Sequence, residues 1–167
     1  MRKATLCLLI RQEHPPAILL GLKKTGFGQG KVVGFGGKIE DGETVVQAAA
    51  RELEEETGLH VAEADLERMA RLTFLFPARP DWDHLVHVFL ARTWQGTPRE
   101  SREVRPAWYP LNQIPLGDMW ADASYWLPPV LAGQRIRATF IFNSDNETVD
   151  RADLEITPAP ASRPKES

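Results

Sequence analysis

Short apolar runs recur along the chain, and most of them have the length of a β-strand. They are bounded by polar or glycine-containing segments, which is typical of strands in a sheet. We predict strands at residues 6–10, 18–22, 72–76, 85–91 and 139–142. A turn is predicted at His14-Pro15-Pro16, between the first two strands. The segments 137–142 and 147–156 flank an Asn-Ser-Asp-Asn sequence at 143–146, which predicts a terminal hairpin.

One segment has the apolar spacing of an amphipathic helix. Thr44 and Gln47 have capping-box spacing at its start, and Gly58 occupies the position that follows a helix end. The predicted inward face consists of Val46, Ala49, Ala50, Leu53 and Thr57. A second helix is predicted over 122–131, kinked or shortened by the Pro-Pro pair at 128–129.

The order of these elements predicts the fold class. Strands outnumber helices and the main helix lies in the middle of the chain, which predicts an α/β (α+β) fold with a mixed β-sheet sandwiched between α-helices. A chain of 167 residues fits one domain with its own core, and we expect that domain to span residues 1–157. Residues 158–167 are rich in proline and charge, and we expect a disordered tail there.

Composition and charge narrow the class of protein. The net charge of −3, from 20 basic and 23 acidic residues, argues against binding to nucleic-acid polymers or anionic membranes. The first apolar run, which ends at Ile10, is too short for a transmembrane helix and has no signal-peptide cleavage site. The one cysteine, Cys7, cannot form an internal disulfide, and its apolar neighbours favour a core position. These features predict a cytoplasmic protein.

The first predicted helix carries three glutamates that are neighbours on its surface. Glu52 lies beside both Glu55 and Glu56, and like charges at this spacing cost about 0.2–0.5 kcal/mol per pair. The last two turns of a helix also disfavour negative charge, and Arg51 relieves the repulsion only in part, through Glu55. The glycine-rich stretch 26–37 lets the backbone approach an ion closely. A magnesium site fits this pattern better than the alternative, a solvated acidic face.

A longer signature surrounds these glutamates. The sequence GKIEDGE at 37–43, seven further residues and RELEEETGL at 51–59 resemble the signature of the Nudix (MutT-like) hydrolases, with nine defined positions filled over 23 residues. Further stretches are similar to the branch that hydrolyses oxidised purine nucleoside triphosphates such as 8-oxo-dGTP, and they lie at 21–28, 34–38, 95–98, 118–120 and 124–126. The resemblance implies the Nudix fold, release of nucleoside monophosphate and pyrophosphate, and a role in sanitation of the nucleotide pool.

The resemblance also implies roles for single residues. The implied ligands of magnesium, or of manganese in its place, are the carbonyl of Gly36 and the carboxylates of Glu52, Glu55, Glu56 and Glu103. The alternative for Glu103 is an exposed loop carboxylate without a ligand. Arg51 would orient a glutamate of the signature, and Lys23 would contact phosphate unless it is a plain surface lysine. Glu56 is the predicted general base, with Glu55 and Glu103 as alternatives.

The branch resemblance nominates a pocket for the purine base. Its implied walls are Phe27, Phe74, Trp120 and Trp126, with Thr5 and Asp122 at the polar edge. Taken singly, each aromatic is more often a core residue, and this alternative is weakest for Trp120, which lies in a polar loop. The chain departs from the branch at Val33 and Ala123, where asparagine and aspartate are usual. Two lost hydrogen bonds of about 0.5–1.5 kcal/mol each would change discrimination about ten- to a hundredfold, so we expect an altered preference among modified purines.

Two alternatives remain open for the function. Other Nudix hydrolases cut ADP-ribose, dinucleoside polyphosphates or capped RNA ends, and a Nudix-like sensor would bind a nucleotide without cutting it. The complete set of signature carboxylates disfavours the sensor. The expected partner is a small nucleotide, with no nucleic-acid polymer and no membrane, and the branch resemblance implies a monomer.

Overall fold

The computed structural model describes residues 1–13 and 15–158, and these residues form eight β-strands, two α-helices and three short 3-10 helices. His14 of the predicted turn and nearly all of the predicted tail at 158–167 lie outside the described residues. The strands are β1 (Arg2–Arg11), β2 (Ala17–Lys23), β3 (Val32–Val33), β4 (Glu67–Leu75), β5 (His84–Ala91), β6 (Val104–Pro110), β7 (Arg135–Phe142) and β8 (Val149–Thr157). The α-helices are α1 (Val45–Thr57) and α2 (Ala123–Leu131), and the 3-10 helices are Glu63–Asp65, Pro80–Trp82 and Leu116–Asp118.

The strands form one mixed sheet. Its main path has the order β3-β2-β1-β5-β4-β7-β8, and β6 pairs with β2. The pairs β1–β5 and β4–β7 are parallel, and the remaining pairs are antiparallel. All five predicted strands are present, and β7 and β8 form the predicted terminal hairpin. The prediction of a mixed sheet is therefore confirmed.

Two strands, β3 and β6, are absent from the sequence prediction. β3 has only two residues, which is too short for a period-two pattern to show. β6 contains Pro106 and Pro110. Proline has no N–H to donate, so a sequence with two prolines does not predict a strand that is paired on both sides. β6 tolerates them because, in the described part of the chain, it pairs on one side only, with β2.

The central strand β1 serves two cores, because successive residues of a strand point to opposite faces of the sheet. Leu8 and Ile10 pack in the larger core, which includes residues of α2. Cys7 and Leu9 pack in the smaller core, which includes residues of α1. A helix thus covers each face of the sheet, as predicted. Burial raises the pKa of the Cys7 thiol to about 12, in agreement with its predicted core position.

The capping of α1 follows the prediction, but its buried face differs. The Thr44 hydroxyl accepts from the Gln47 N–H, the Gln47 side chain bonds back to the Thr44 N–H, and Gly58 ends the helix with a φ of 77°. The buried residues of α1 are Ala48, Ala49, Leu53, Glu56 and Thr57. The assignment of Val46 and Ala50 to the inward face is wrong, since both are only partly buried. An apolar pattern cannot include Glu56, yet this carboxylate is buried against the sheet.

Of the two predicted effects of the prolines on the second helix, a kink or a shortening, the shortening is not found. α2 continues through Pro128 and Pro129 to Leu131. Because proline has no N–H, the carbonyls of Ser124 and Tyr125 receive no hydrogen bond from Pro128 and Pro129. Ser124 and Tyr125 are exposed, so water can satisfy these carbonyls instead. Among the residues described, no helix is long and apolar enough to cross a membrane.

Candidate active site

The three signature glutamates lie on neighbouring turns of α1 but in different surroundings. The side chain of Glu55 is 59% exposed and that of Glu52 is 15% exposed. Glu56 is only 6% exposed and belongs to the buried face of the helix. Because of their spacing, one carboxylate lies deep against the sheet, one lies at the boundary and one lies in solvent.

Arg51 connects these glutamates to the loop that precedes α1. Its guanidinium donates to both oxygens of Glu43, at 2.6 and 2.9 Å, and to the carbonyl of Lys38 at 3.0 Å. It also donates to Glu52 at 2.9 Å and to Glu55 at 3.3 Å. The predicted contact with Glu55 is therefore present, but the shorter, bidentate partner is Glu43, to which the sequence prediction gave no role. This bond lowers the pKa of Glu43 and raises that of Arg51.

At the buried end of the glutamate cluster, the surroundings oppose ionisation of the carboxyl groups of Glu52 and Glu56. Burial raises the pKa of the Glu56 carboxyl to about 8; Lys23 opposes this rise, and the charges of Glu52 and Glu103 add to it. Burial likewise raises the pKa of Glu52, against the effect of Arg51. Glu103 is exposed in the loop before β6, yet its charge acts on both helix glutamates. The predicted ligand Glu103 is therefore close to the cluster.

The loop before α1 is pressed against both β1 and the glutamates. The Thr5 N–H donates to the Gly37 carbonyl at 2.9 Å, and a Cβ at Gly36 would collide with the Thr5 backbone. A Cβ at Gly37 would lie 2.6 Å from Cδ of Glu52. The backbone of Gly36 also lowers the pKa of Glu56. Glycine is required at both positions, and the close approach places Gly37 beside Glu52 and Gly36 beside Glu56, two of the predicted metal ligands.

The chemistry of this donor set fits a hard divalent cation. Carboxylate oxygens are the ligands that Mg²⁺ prefers, and a cation would offset the mutual repulsion of Glu52, Glu56 and Glu103. Within the described ranges, no three Asp, Glu, His or Cys side chains are already arranged as a metal site. Arg51 donates hydrogen bonds to the oxygens of Glu52 and Glu55. Metal coordination by these residues stays a prediction.

A cavity of about 520 Å³ lies next to the glutamate cluster, within the usual size of small-molecule sites. All residues predicted to contact the nucleotide line this cavity: Thr5, Lys23, Phe27, Val33, Phe74, Trp120, Asp122, Ala123 and Trp126. Gly36 lines it as well. The glutamates and Arg51 lie beyond this lining, and Lys23 and Gly36 connect the two parts because both also act on Glu56.

Aromatic rings form the walls of the cavity. Phe27 and Trp120 stack with ring centroids 5.2 Å apart and an interplanar angle of 18°. Phe27 is 46% exposed, so part of its ring is free of protein contacts and can meet a ligand. Phe74 and Trp126 are buried and also belong to the larger core, so this part of the cavity wall is fixed by core packing.

Two buried polar groups lie at the cavity edge. Asp122 accepts from Nε1 of Trp126 at 2.8 Å, and burial raises its pKa to about 6 although this bond lowers it. The hydroxyl oxygen of Thr5 is buried and has no hydrogen-bond partner among the described residues. Val33 and Ala123 present only apolar surface to the cavity, as the sequence predicts. Asp122 can donate when protonated and can only accept when ionised.

The sequence prediction missed His84, which also lines the cavity. Its Nδ1 lies 2.7 Å from the Trp82 carbonyl, and burial lowers its pKa. The neutral ring therefore donates through Nδ1 and presents Nε2 as an acceptor. The ring stacks on Phe74 at 5.0 Å and on Phe76 at 6.2 Å. The pairing of Phe74 with His84 across β4 and β5 could have indicated this position, but only once the register was known.

The fold and the site together define a class of protein. A mixed sheet lies between two helices, and one of these helices presents a glutamate cluster beside a cavity for a flat ligand. The NUDIX domain family matches residues 1–129, and the chain belongs to this family of hydrolases.

Individual relatives agree with this assignment. The chain is 42% identical over 149 residues to the oxidized purine nucleoside triphosphate hydrolase of Mus musculus, covering 89% of this chain and 93% of that one. It is 41% identical over 150 residues to the Danio rerio protein of the same name, covering 90% and 94% of the two chains. A MutT protein from Bacillus halodurans has the same fold, with a TM-score of 0.78, 24% identity, and coverage of 93% of this chain and 98% of that one.

Proposed function

We propose that this protein is a magnesium-dependent pyrophosphohydrolase of modified purine nucleoside triphosphates such as 8-oxo-dGTP. The products would be a nucleoside monophosphate and pyrophosphate. The observation that carries the proposal is that Lys23 and Gly36 line the aromatic cavity and also act on Glu56. A base held in the cavity therefore has its phosphate chain beside the glutamates. The names of the mouse and zebrafish relatives support this substrate class.

The phosphate end of the site supplies charge and orientation. The groups that would hold the ion are the Gly36 carbonyl and the carboxylates of Glu52, Glu55, Glu56 and Glu103. When bound, Mg²⁺, or Mn²⁺ in its place, would neutralise phosphate oxygens and lower the pKa of the attacking water. Arg51 positions two of these carboxylates through the bonds that it donates to Glu52 and Glu55. Lys23 is the cation of this chain that would attract the phosphate chain.

Glu56 is our proposed general base for attack of water on the β-phosphorus. It is the most deeply buried of the three helix glutamates, and Lys23 and Gly36, which line the cavity, both act on it. Burial raises its pKa to about 8 in the protein alone, and a bound cation would lower this pKa and keep the carboxylate ionised, as a general base must be. Glu55 and Glu103 remain the alternative bases because they share the cluster.

The base end of the site supplies recognition. Phe27 and Trp120 would stack against a purine, and Asp122 and His84 are the polar groups that would contact its edge. His84 offers an acceptor, and Asp122 offers a donor or an acceptor depending on protonation. This edge differs from the one expected for the branch, and we propose an altered preference among oxidised or alkylated purines.

A substrate panel with product analysis tests the proposal. We expect magnesium-dependent release of pyrophosphate, with a higher kcat/KM for at least one modified purine triphosphate than for dATP and dGTP. Equal kcat/KM for normal and modified purines would remove the proposed substrate class. Faster cleavage of ADP-ribose or a dinucleoside polyphosphate would favour the alternative Nudix activities, and binding without cleavage would favour a sensor.

The general base is tested by Glu56→Gln, with Glu54→Gln as the matched control on the exposed face of the same helix. We expect Glu56→Gln to abolish most turnover and Glu54→Gln to leave it unchanged. Direct titration of Mg²⁺ binding separates loss of the base from loss of a ligand. Turnover that survives Glu56→Gln would reject the assigned role.

We also propose that the protein acts as a monomer in the cytoplasm on a free nucleotide. The single buried thiol is compatible with a reducing compartment. Sedimentation at micromolar concentration tests the oligomeric state, and a dimer would contradict this part of the proposal.

A further inference from the structure

A second groove, of about 420 Å³, lies on the sheet face opposite the aromatic cavity. Leu72 and Val86 line the cavity, whereas their chain neighbours Arg71 and His87 line the groove, because successive strand residues point to opposite faces. Its charged lining residues, among those described, are Arg68, Arg71, Arg135, Arg137 and Glu155. Four arginines thus face a single glutamate, in a chain whose net charge is −3.

A β-bulge in β4 brings two of these arginines to the same face. Arg68 lies opposite Phe89 and Arg71 lies opposite His87, with a register shift between Arg68 and Ala70. In a regular strand, residues three apart point to opposite faces. Because of the extra residue, Arg68 and Arg71 point to the same face instead. Bulges commonly change the direction of side chains in this way.

The arginines of the groove are poorly compensated. Arg71 is the register partner of Arg137 on the parallel strand β7, so two like charges lie on neighbouring strands. Glu155 is opposite Arg137, but none of the four arginines forms a salt bridge within the described part of the chain. The next acidic residue on β8, Asp153, pairs with Arg151 at 3.1 Å. All four arginines are exposed and Arg68 lies over the Phe89 ring at 5.4 Å, so the groove carries an excess of positive charge that no carboxylate of the described residues neutralises through a salt bridge.

His87 supplies a second, independent sign of a ligand. It lines the groove and is only 8% exposed, and its Nδ1 is buried without a hydrogen-bond partner in the described ranges. Burial lowers its pKa, and the positive charges of Arg68, Arg71 and Lys3 lower it further. An anion in the groove would offset the charges of Arg68 and Arg71, which line it together with His87.

We propose that this groove is a binding site for an oligophosphate group, carried by inorganic pyrophosphate or by a nucleotide. The planar guanidinium groups of Arg71 and Arg137 would bind phosphate oxygens in bidentate fashion from two adjacent strands. Arg68 and Arg135 would flank the anion, and His87 would lie beneath it. The groove has the volume of a small-molecule site. The site does not depend on the proposed hydrolytic function, because it uses none of its residues.

The test is a titration of the full-length protein with pyrophosphate in the presence of EDTA, followed by NMR of the histidine ring protons and by calorimetry. His87 reports on the groove and His84 reports on the catalytic cavity, so the two sites are distinguished. We expect saturable movement of the His87 signal and a rise in its pKa, with His84 unchanged. A second titration with ADP shows whether a nucleotide can carry the phosphate group to the same place.

The variant Arg71→Gln/Arg137→Gln removes the proposed clamp, and Arg92→Gln/Arg151→Gln is the control with the same change in net charge. Arg92 and Arg151 are exposed and pair elsewhere, with Glu67 and Asp153. We expect the clamp variant to weaken pyrophosphate binding about tenfold or more, the magnitude of a lost charge-assisted hydrogen bond, and the control to change it less than about twofold. The clamp variant should fold, because it loses a repulsion.

Three results would overturn the proposal. The first is a His84 signal that moves while His87 stays still, since the anion would then bind in the catalytic cavity. The second is equal weakening by both double variants, which would indicate a general effect of charge. The third is the absence of saturation at millimolar pyrophosphate, which would mean that the groove holds no specific anion. The pKa of His87 in the wild-type chain decides the question even if a variant fails to fold.

Discussion

Replacing Asp122 with asparagine should stabilise the protein at neutral pH. Asp122 is buried beside the cavity, and its carboxyl accepts from Trp126 Nε1 at 2.8 Å. Asparagine has the same shape and keeps an oxygen that can accept this bond. The substitution therefore removes a buried negative charge and leaves the hydrogen bond in place.

The magnitude follows from the pKa of Asp122. Burial raises this pKa from 3.8 to about 6, so the folded state binds a proton more tightly than the unfolded state. The favourable contribution is complete below the unfolded value and is lost as the pH rises through the folded value. Two pKa units correspond to about 3 kcal/mol, and this difference already includes the bond from Trp126, which lowers the pKa. We expect a gain of about 3 kcal/mol above pH 7.

Urea unfolding of both proteins at pH 4, 6 and 8 measures this effect. The free energies of unfolding should be similar at pH 4 and should diverge in favour of Asp122→Asn as the pH rises. The melting temperature at pH 8 should increase by about 6–12 °C for a domain of this size. Asp118→Asn, which changes an exposed carboxylate in the preceding loop, is the control and should show no divergence. A constant difference at all three pH values would refute the reasoning, because the Asp122 carboxyl would then not be desolvated.

Three further substitutions test separate parts of the site. Glu43→Gln removes the bidentate partner of Arg51, and we expect kcat or apparent Mg²⁺ affinity to fall about 10- to 100-fold in steady-state titrations, while KM for the nucleotide stays constant. Trp120→Leu removes a stacking surface, so KM should rise about tenfold or more with little change in kcat; an unchanged KM would exclude base stacking there. His84→Leu should lower the preference for a modified purine over its parent about two- to tenfold, measured as a ratio of kcat/KM, without altering the dependence on Mg²⁺.

The catalytic half of the site could be predicted from the sequence because its geometry is local. Glu52, Glu55 and Glu56 lie on one helix, so their spacing alone fixes their proximity. What spacing does not fix is the rotation of that helix against the sheet. Glu56 is buried while Glu55 is in solvent, and this difference comes from packing against β1 and the glycine loop. The sequence therefore predicted the cluster but not which member is desolvated.

The base cavity could be predicted only through resemblance, because its lining comes from the whole length of the chain. Nothing in the local sequence relates Phe27 to Trp120, which stack across more than ninety residues. His84 shows the limit of resemblance as well. It enters the cavity because β4 and β5 pair with Phe74 opposite His84, and that register depends on the complete sheet. A histidine at the start of a strand gives no local sign of such a position.

In the arginine groove, one extra residue in β4 decides which side chains share a face of the sheet. Counting by twos along β4 places Arg68 and Arg71 on opposite faces, and a sequence argument would then treat them as unrelated surface charges. The bulge at Met69 changes this, and the buried Met69 side chain packs in the larger core. Packing in the core therefore holds the extra residue in place, and this places Arg68 and Arg71 together in the groove. A strand without the bulge would keep the same arginines but would direct Arg68 away from Arg71, and the groove would lose part of the charge that makes it a site for phosphate.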